Sequence, residues 1–197
     1  MVKSEREYRS AVEFCTAENE DFIVEGYATT FNDPYTLFEW DGIAYKEQID
    51  RHAFDEADVS DVIFQFDHEG KVYARQKNGT LMLNVDDHGL HVRADLSKTE
   101  NSRSMYEDIK AGLVSEMSFA FTVREDSWDN ETHTRTISKI KKVYDVSAVS
   151  IPANPNTDIS ARSYFEGVIE AEKAERLRAE QRARQIQKIK ILMEVSK

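Results

Sequence analysis

Short stretches in which hydrophobic and polar residues alternate cover most of the chain and predict a mainly β structure. Runs with the length and apolar content of strands lie at residues 22–31, 62–66, 72–75, 80–85, 90–96, 113–123, 132–140 and 143–151. Asn78-Gly79 separates two of these runs and predicts a hairpin there, because both positions of a two-residue hairpin loop need a positive φ.

The periodicity changes in two places, and each change predicts a helix. Residues 102–111 place Met105 and Ile109 on one face, and Gly112 follows where helix C-termini favour a positive φ. Residues 171–197 contain no glycine or proline and consist mainly of good helix formers. Their apolar residues are too sparse for a core-facing stripe, so both a solvated helix and a helix that docks on a partner remain open.

The charge is divided unevenly along the chain. The 197 residues carry 26 basic and 37 acidic side chains, a net charge of −11. Residues 171–197 have eight basic and four acidic side chains, a net charge of +4, which leaves −15 for residues 1–170. An acidic surface disfavours nonspecific binding to nucleic acid or to anionic membranes. No apolar run reaches the roughly 18 residues of a membrane-spanning helix, and we see no secretory signal.

The sequence offers no metal or cofactor motif. A single cysteine, Cys15, excludes an internal disulfide and a zinc site built from cysteines, and it suggests a reducing compartment. A metal-dependent hydrolase built on His88, His91 and His133 lacks a convincing set of ligands. We therefore expect these histidines to lie at the surface, and we expect neither a metal nor an organic cofactor.

Three residues on separate predicted strands have complementary chemistry. His68 directly follows the apolar run 62–66, Ser118 lies in the most apolar alternating run, and Asp145 interrupts a run of small apolar residues. A serine hydroxyl is a poor nucleophile until a base takes its proton, and the base works best when a third group orients it. The three residues could fill these roles, although spacing alone does not show that they meet.

Five short segments, in the same order over about residues 21–160, resemble the prohead maturation proteases of tailed phages, the caudovirus prohead protease family. The matching segments are residues 24–28 (VEGYA), 53–54 (AF), 66–68 (FDH), 117–121 (MSFAF) and 145–155 (DVSAVSIPANP). The preceding residue, His52, stands where the family tends to have glycine, and we interpret it as a surface change.

The resemblance implies a serine protease with a fold like that of the herpesvirus assemblins, a seven-stranded antiparallel β-barrel decorated by helices. It implies that His68 is the catalytic base and Ser118 the nucleophile. Asp145 stands where members of the family carry an acidic residue, which assigns it the third role. The fold class expected is α+β, with an N-terminal extension at 1–20, a protease domain at 21–162 and a charged helical tail at 163–197.

The oxyanion hole is expected in the segment that follows the last strand. Backbone N–H groups normally form such a hole, and Pro152 and Pro155 have none to offer. Ala153 and Asn154 are therefore the expected donors, with Asn156 as a further option.

We expect a prohead protease inside the immature phage capsid, in the host cytoplasm. It would cleave the scaffolding segment of the major capsid protein or a separate scaffold protein, as well as itself, and it could self-associate. The basic tail would serve as a handle for packaging or would be removed by self-cleavage. The alternative is a non-catalytic β-barrel that acts as a scaffold or assembly protein of the capsid. Shortening of the purified protein on standing would distinguish the two.

Overall fold

A computed structural model describes residues 6–13, 15–17, 20–150 and 159–195. These residues form eleven strands, a short 3-10 helix (Gln76–Asn78) and two α-helices, which confirms the predicted mainly β, α+β class. The elements are β1 (Glu7–Glu13), β2 (Cys15–Thr16), β3 (Ile23–Thr30), β4 (Tyr35–Trp40), β5 (Ile43–Ile49), β6 (Ile63–Phe66), β7 (Glu69–Arg75), β8 (Leu81–Val85), β9 (Gly89–Asp95), α1 (Glu100–Lys110), β10 (Glu116–Asp129), β11 (Thr134–Val149) and α2 (Ile159–Val195).

The strands form two sheets. The larger contains the path β1–β10–β11–β5–β4, with β6 paired to β11 and β7 paired to β6. The smaller has the order β2–β3–β9–β8. Strands β5 and β6 both run parallel to β11, so the larger sheet is mixed. Pairing among the described strands does not close either sheet, and the closed antiparallel barrel expected from the resemblance is not observed.

Strand β11 is the longest strand, and it explains why the larger sheet is mixed. Its start pairs with β5, as Thr134 with Lys46, and its end pairs with β6, as Asp145 with Ile63. An isolated parallel bridge between Asp58 and Lys142 lies between these two pairings. The chain from β5 to β6 therefore follows the whole flank of β11 in the same direction. The two strands predicted at residues 132–140 and 143–151 are one continuous strand.

One hydrophobic core joins the two sheets and α1. Its members include Val92 from the smaller sheet, Phe64 and Phe119 from the larger, and Met105 and Ile109 from the helix, as the helical periodicity predicted. The Thr99 side chain accepts a hydrogen bond from the backbone N–H of Ser102 and caps the helix. Gly112 has the positive φ, 73°, that was expected after its C-terminus.

The hairpin predicted at Asn78-Gly79 is wrong. Strand β7 pairs with β6 in the larger sheet and β8 pairs with β9 in the smaller, so this turn carries the chain from one sheet to the other. Gly79 has a φ of 76°, but Asn78 belongs to the 3-10 helix and does not have the positive φ that a two-residue hairpin loop requires. Asp41-Gly42 forms such a loop instead, with φ values of 51° and 75°, between β4 and β5.

Residues assigned to an N-terminal extension contribute a strand to the larger sheet. Strand β1 lies at the edge of this sheet and pairs antiparallel with β10. Helix α2 forms a unit of its own, and none of the described helices is both long and apolar enough to span a bilayer. The predicted domain boundaries, after residues 20 and 162, stay predictions.

Side chains connect β1 to strands that are not its neighbours in the sheet. Arg9 Nε donates to Glu47 Oε1 on β5 at 2.5 Å, and Arg9 Nη2 donates to Glu7 Oε2 at 2.6 Å. Arg135 on β11 donates through Nη1 to both carboxylates, at 2.7 Å to Glu7 and 2.9 Å to Glu47. We call these four residues the buried charge network, because each is less than a tenth exposed.

Ionisation of Glu47 depends on its cationic partners. Burial would raise its pKa, but the charges and hydrogen bonds of Arg9, together with Arg135 and the Tyr35 hydroxyl, hold the pKa below its ordinary value. Tyr35 donates to Glu47 Oε1 at 2.6 Å. Because the folded-state pKa is depressed, these ion pairs stabilise the protein above the unfolded-state pKa, and the stabilisation is lost as the pH falls through the folded-state pKa.

We expect Glu47→Gln to lower the free energy of unfolding at neutral pH by about 3–5 kcal/mol, because breaking a buried ion pair leaves charge uncompensated. Urea unfolding followed by circular dichroism measures the change. The difference from wild type should shrink in acid, where the Glu47 carboxylate is itself protonated.

The matched control is Glu125→Gln on β10, which removes an exposed carboxylate that pairs with Lys139. Its unfolding midpoint should stay close to that of wild type, because exposed ion pairs contribute little. Equal destabilisation by the two variants would contradict a structural role for the buried charge network.

Candidate functional site

Ser118 lies on an inner strand of the larger sheet, next to its edge strand. Strand β10 runs between β1 and β11, and Ser118 is paired with Ser10 on one side and Ser147 on the other. Its side chain is fully buried. Residues 117–122 of β10 are all buried, so the alternation in the sequence marks two covered faces, one of which carries Ser118.

Asp145 lies on β11 beside an irregularity in the pairing of the sheet. Ala120 pairs with Asp145 but the next residue, Phe121, pairs with Val143, so β11 has one extra residue at this point. The Asp145 side chain is only 4% exposed and therefore needs polar partners. One partner is Ser147, two residues along on the same face, whose hydroxyl donates to Asp145 Oδ1 at 2.9 Å.

His68 occupies the turn between β6 and β7. Phe66 pairs with Glu69, so Asp67 and His68 form a two-residue loop, with φ values of 47° and 60°. The left-handed region costs residues other than glycine about 1–2 kcal/mol each, although aspartate and asparagine tolerate it better. Because β6 runs parallel to β11 and its last residue, Phe66, pairs with Ala148, the turn begins near the end of β11 and brings the imidazole to β10 and β11.

The three candidate side chains form one hydrogen-bonded chain. His68 Nδ1 lies 2.5 Å from Asp145 Oδ1, and His68 Nε2 lies 2.7 Å from Ser118 Oγ. An ionised carboxylate only accepts hydrogen bonds, so Nδ1 carries the proton and donates it to Asp145. In the neutral ring Nε2 is then the acceptor, and the Ser118 hydroxyl donates to it. This is the arrangement in which an imidazole can take the proton of a serine.

Asp67 ties the turn that carries His68 to the end of β11. Its carboxylate accepts hydrogen bonds from the Ser150 backbone N–H at 2.9 Å and from the Ser150 hydroxyl at 2.8 Å. Its own N–H donates to the Ala148 carbonyl at 2.9 Å. These bonds fix the first residue of the turn to the end of β11 and help to hold a backbone conformation that would otherwise be unfavourable.

The other candidate residues named from the sequence either lie outside the described residues or are the remaining histidines. Ala153 and Asn154, expected as oxyanion-hole donors, lie outside the described residues, as does Asn156. His52 and His88 are exposed, as predicted, whereas His91 and His133 are half-buried. Within the described parts of the chain, no three histidine, cysteine or acidic side chains cluster closely enough to hold a metal ion.

Sequence reasoning missed two neighbours of the hydrogen-bonded chain. Ser147 stands two residues after Asp145, which is the spacing of side chains on one face of a strand, and this pattern could have identified it. Tyr8 packs its ring against the His68 ring, with 4.7 Å between the ring centroids. Nothing in the sequence marks this contact, because β1 is 60 residues away from His68 along the chain.

Comparison with known proteins adds a separate finding. The profile of a family described as caudovirus prohead serine protease matches residues 9–168, which is most of the chain. The matched span contains Ser118, His68 and Asp145. No curated protein and no solved structure matches the chain.

We expect Asp67→Ala to destabilise the folded state by about 1–2 kcal/mol, because alanine is strained at this φ and cannot bind Ser150. Asp67→Asn should remain close to wild type, since the asparagine oxygen can accept the same hydrogen bonds and asparagine tolerates the left-handed region. Urea unfolding of the two variants measures the difference. If both variants lose the same stability, the carboxylate charge matters more than the turn conformation.

Proposed function

Because this chain belongs to the caudovirus prohead serine protease family, we propose that it hydrolyses peptide bonds with Ser118 as nucleophile. His68 acts as the general base, and Asp145 orients the imidazole and stabilises its protonated form. The observation that carries the proposal is the hydrogen-bonded chain, with His68 Nε2 2.7 Å from Ser118 Oγ and Nδ1 2.5 Å from Asp145 Oδ1. Family membership places the activity in phage capsid maturation.

Each step of the reaction moves a proton to or from His68 Nε2. As Ser118 Oγ attacks the peptide carbonyl carbon, its proton passes to His68 Nε2, and the imidazolium gives that proton to the departing amine. A water molecule then gives a proton to the same nitrogen as its oxygen attacks the acyl carbon. The bond from that carbon to Ser118 Oγ breaks, and Oγ takes the proton back from His68. Asp145 stays ionised throughout and keeps Nδ1 protonated.

The surroundings of Asp145 suit this role. The carboxylate is buried, and its interaction with an imidazolium is therefore screened less than it would be in water. The Ser147 hydroxyl also donates to it and helps to fix its orientation. We propose the backbone N–H groups of Ala153 and Asn154 as donors to the oxyanion, because the two prolines of that segment cannot serve.

The proposed substrates are proteins of the immature capsid. We propose that the enzyme cleaves the scaffolding segment of the major capsid protein or a separate scaffold protein inside the procapsid, and that it also cleaves itself. The net charge of −15 on residues 1–170 fits this location, since an acidic protein does not stay bound to the DNA that enters the capsid.

We expect Ser118→Ala to abolish cleavage of co-expressed capsid protein while the fold stays intact. Loss of the nucleophile in a serine protease lowers turnover by about 10⁶-fold, and one buried hydroxyl contributes little to packing. The matched control is Ser127→Ala, an exposed serine on the same strand, which should cleave like wild type. The intact masses of the capsid protein and of the protease variant give the result. Circular dichroism checks that each variant is folded.

Asp145→Asn tests, in the same assay, whether Asp145 orients the imidazole, and we expect it to lower turnover strongly. The amide favours the wrong imidazole tautomer, and such a change costs about 10⁴-fold in turnover in a well-studied triad.

Cleavage by Ser118→Ala would refute Ser118 as the nucleophile. A wild-type protein that cleaves neither capsid protein nor itself would favour the alternative, a non-catalytic scaffold protein.

The C-terminal part of α2 is expected to direct packaging rather than catalysis. All described side chains from residue 173 onward are exposed, and residues 171–197 carry a net charge of +4. A chain that ends at Glu170 should therefore fold, cleave a peptide substrate at the wild-type rate and be missing from procapsids. Peptide cleavage and protease copies per purified particle are the measurements. An insoluble chain, or wild-type copy numbers, would contradict this role.

A further inference from the structure

Strand β1 has two faces that contact different parts of the protein. Glu7 and Arg9 belong to the buried charge network, which reaches Glu47 on β5 and Arg135 on β11. Tyr8 lies between them in sequence, and its ring contacts the His68 ring edge-on, at an interplanar angle of 67°. Because side chains alternate along a strand, anchoring Glu7 and Arg9 on one face fixes Tyr8 on the other.

We propose that Tyr8 is a positioning residue for His68, and that the buried charge network holds it in place. The proposal rests on the proposed function, since it assigns a means of orienting the base of that same reaction. Tyr8 is absent from the family match, which begins at Arg9.

The hydrogen bonds to His68 do not restrain every motion of its imidazole ring. They fix the direction from Nδ1 to Asp145 and from Nε2 to Ser118, but the imidazole is carried by a two-residue turn and its side chain is still 14% exposed. An aromatic ring packed edge-on at 4.7 Å limits tilting of the imidazole and keeps water away from one side of it. A small displacement of a catalytic group costs rate steeply, so such a restraint has a measurable effect.

Sheet pairing alone does not hold strand β1, which carries Tyr8, firmly in place. Among the described strands, β1 pairs only with β10, and an edge strand held by one ladder of hydrogen bonds is easily displaced. The buried charge network adds bonds from β1 to β5 and to the start of β11, which are not its neighbours in the sheet. Tyr8 is thereby held against His68 by contacts that do not involve the catalytic side chains.

The structure contains a matched control for the ring contact. Tyr27 on β3 packs edge-on against His88, with 4.5 Å between centroids and an interplanar angle of 84°. Tyr27 lies on β3 and His88 in the turn before β9, whereas Ser118, His68 and Asp145 are carried by β10, the β6–β7 turn and β11. Tyr27→Leu therefore removes the same kind of ring contact, together with the hydrogen bond from the Tyr27 hydroxyl to Asp86 at 2.8 Å, and leaves unchanged the elements that carry the hydrogen-bonded chain.

The first test uses NMR of the wild-type protein. Nuclear Overhauser effects should join the ring protons of Tyr8 and His68, and a downfield resonance should mark the His68 Nδ1 proton shared with Asp145. The resonance should persist in Tyr8→Phe and Tyr27→Leu and broaden or disappear in Tyr8→Leu. Absence of the ring-to-ring effects in wild type would overturn the proposal without any variant, as would an unchanged resonance in Tyr8→Leu.

The second test measures the reactivity of Ser118 towards a fluorophosphonate probe. Ser118 Oγ forms a bond to phosphorus, fluoride leaves and His68 takes the hydroxyl proton, so the labelling rate reports how well the base is placed. We expect Tyr8→Leu to label about ten- to a hundredfold more slowly, with Tyr8→Phe and Tyr27→Leu close to wild type. Equal losses in Tyr8→Leu and Tyr27→Leu would overturn the proposal in favour of general destabilisation. If wild type is not labelled, the proposed function fails, and the NMR experiment still decides the role of Tyr8.

Discussion

Burial of the Asp145 carboxylate is the constraint from which the rest of the site follows. A charge removed from water must be matched by hydrogen-bond donors, or it destabilises the fold by several kcal/mol. The donors here are the His68 ring N–H and the Ser147 hydroxyl. The bond that satisfies the carboxylate also sets the imidazole tautomer and directs its second nitrogen at Ser118. Folding stability and the geometry of the proposed catalytic site therefore depend on the same contact.

Strand β11 determines how these side chains meet. It pairs antiparallel with β10, which supplies Ser118, and parallel with β6, which leads into the turn of His68. Its opposite end carries Arg135, where a second buried polar cluster joins β1 to β5. The two clusters differ in one respect. In the buried charge network two guanidinium groups face two carboxylates, whereas the chain at Asp145 ends on the hydroxyl of Ser118, the proposed nucleophile.

The site stores local strain that other contacts offset. Asp67 and His68 both have left-handed backbone conformations, at the point from which the proposed base extends. Bonds from Ser150 and to Ala148 hold the turn to β11. Strained residues persist where the surrounding structure over-determines them, and this combination is common at functional sites. The N-terminal strand adds a restraint from a different direction through the Tyr8 ring.

Local pattern in the sequence determined the strands at 22–31, 62–66 and 90–96, the helix α1 and the chemistry of Ser118, His68 and Asp145, because periodicity and residue type act over a few residues. Only the tertiary structure decided which strands pair. The Asn78-Gly79 pair looked like a hairpin and instead joins two sheets, while Asp41-Gly42 formed the hairpin. The contact between Glu7 and Arg135 spans 128 residues. A dipeptide specifies the turn that it can adopt, but strand partners and buried ion pairs are selected by burial across the whole chain, which no local pattern records.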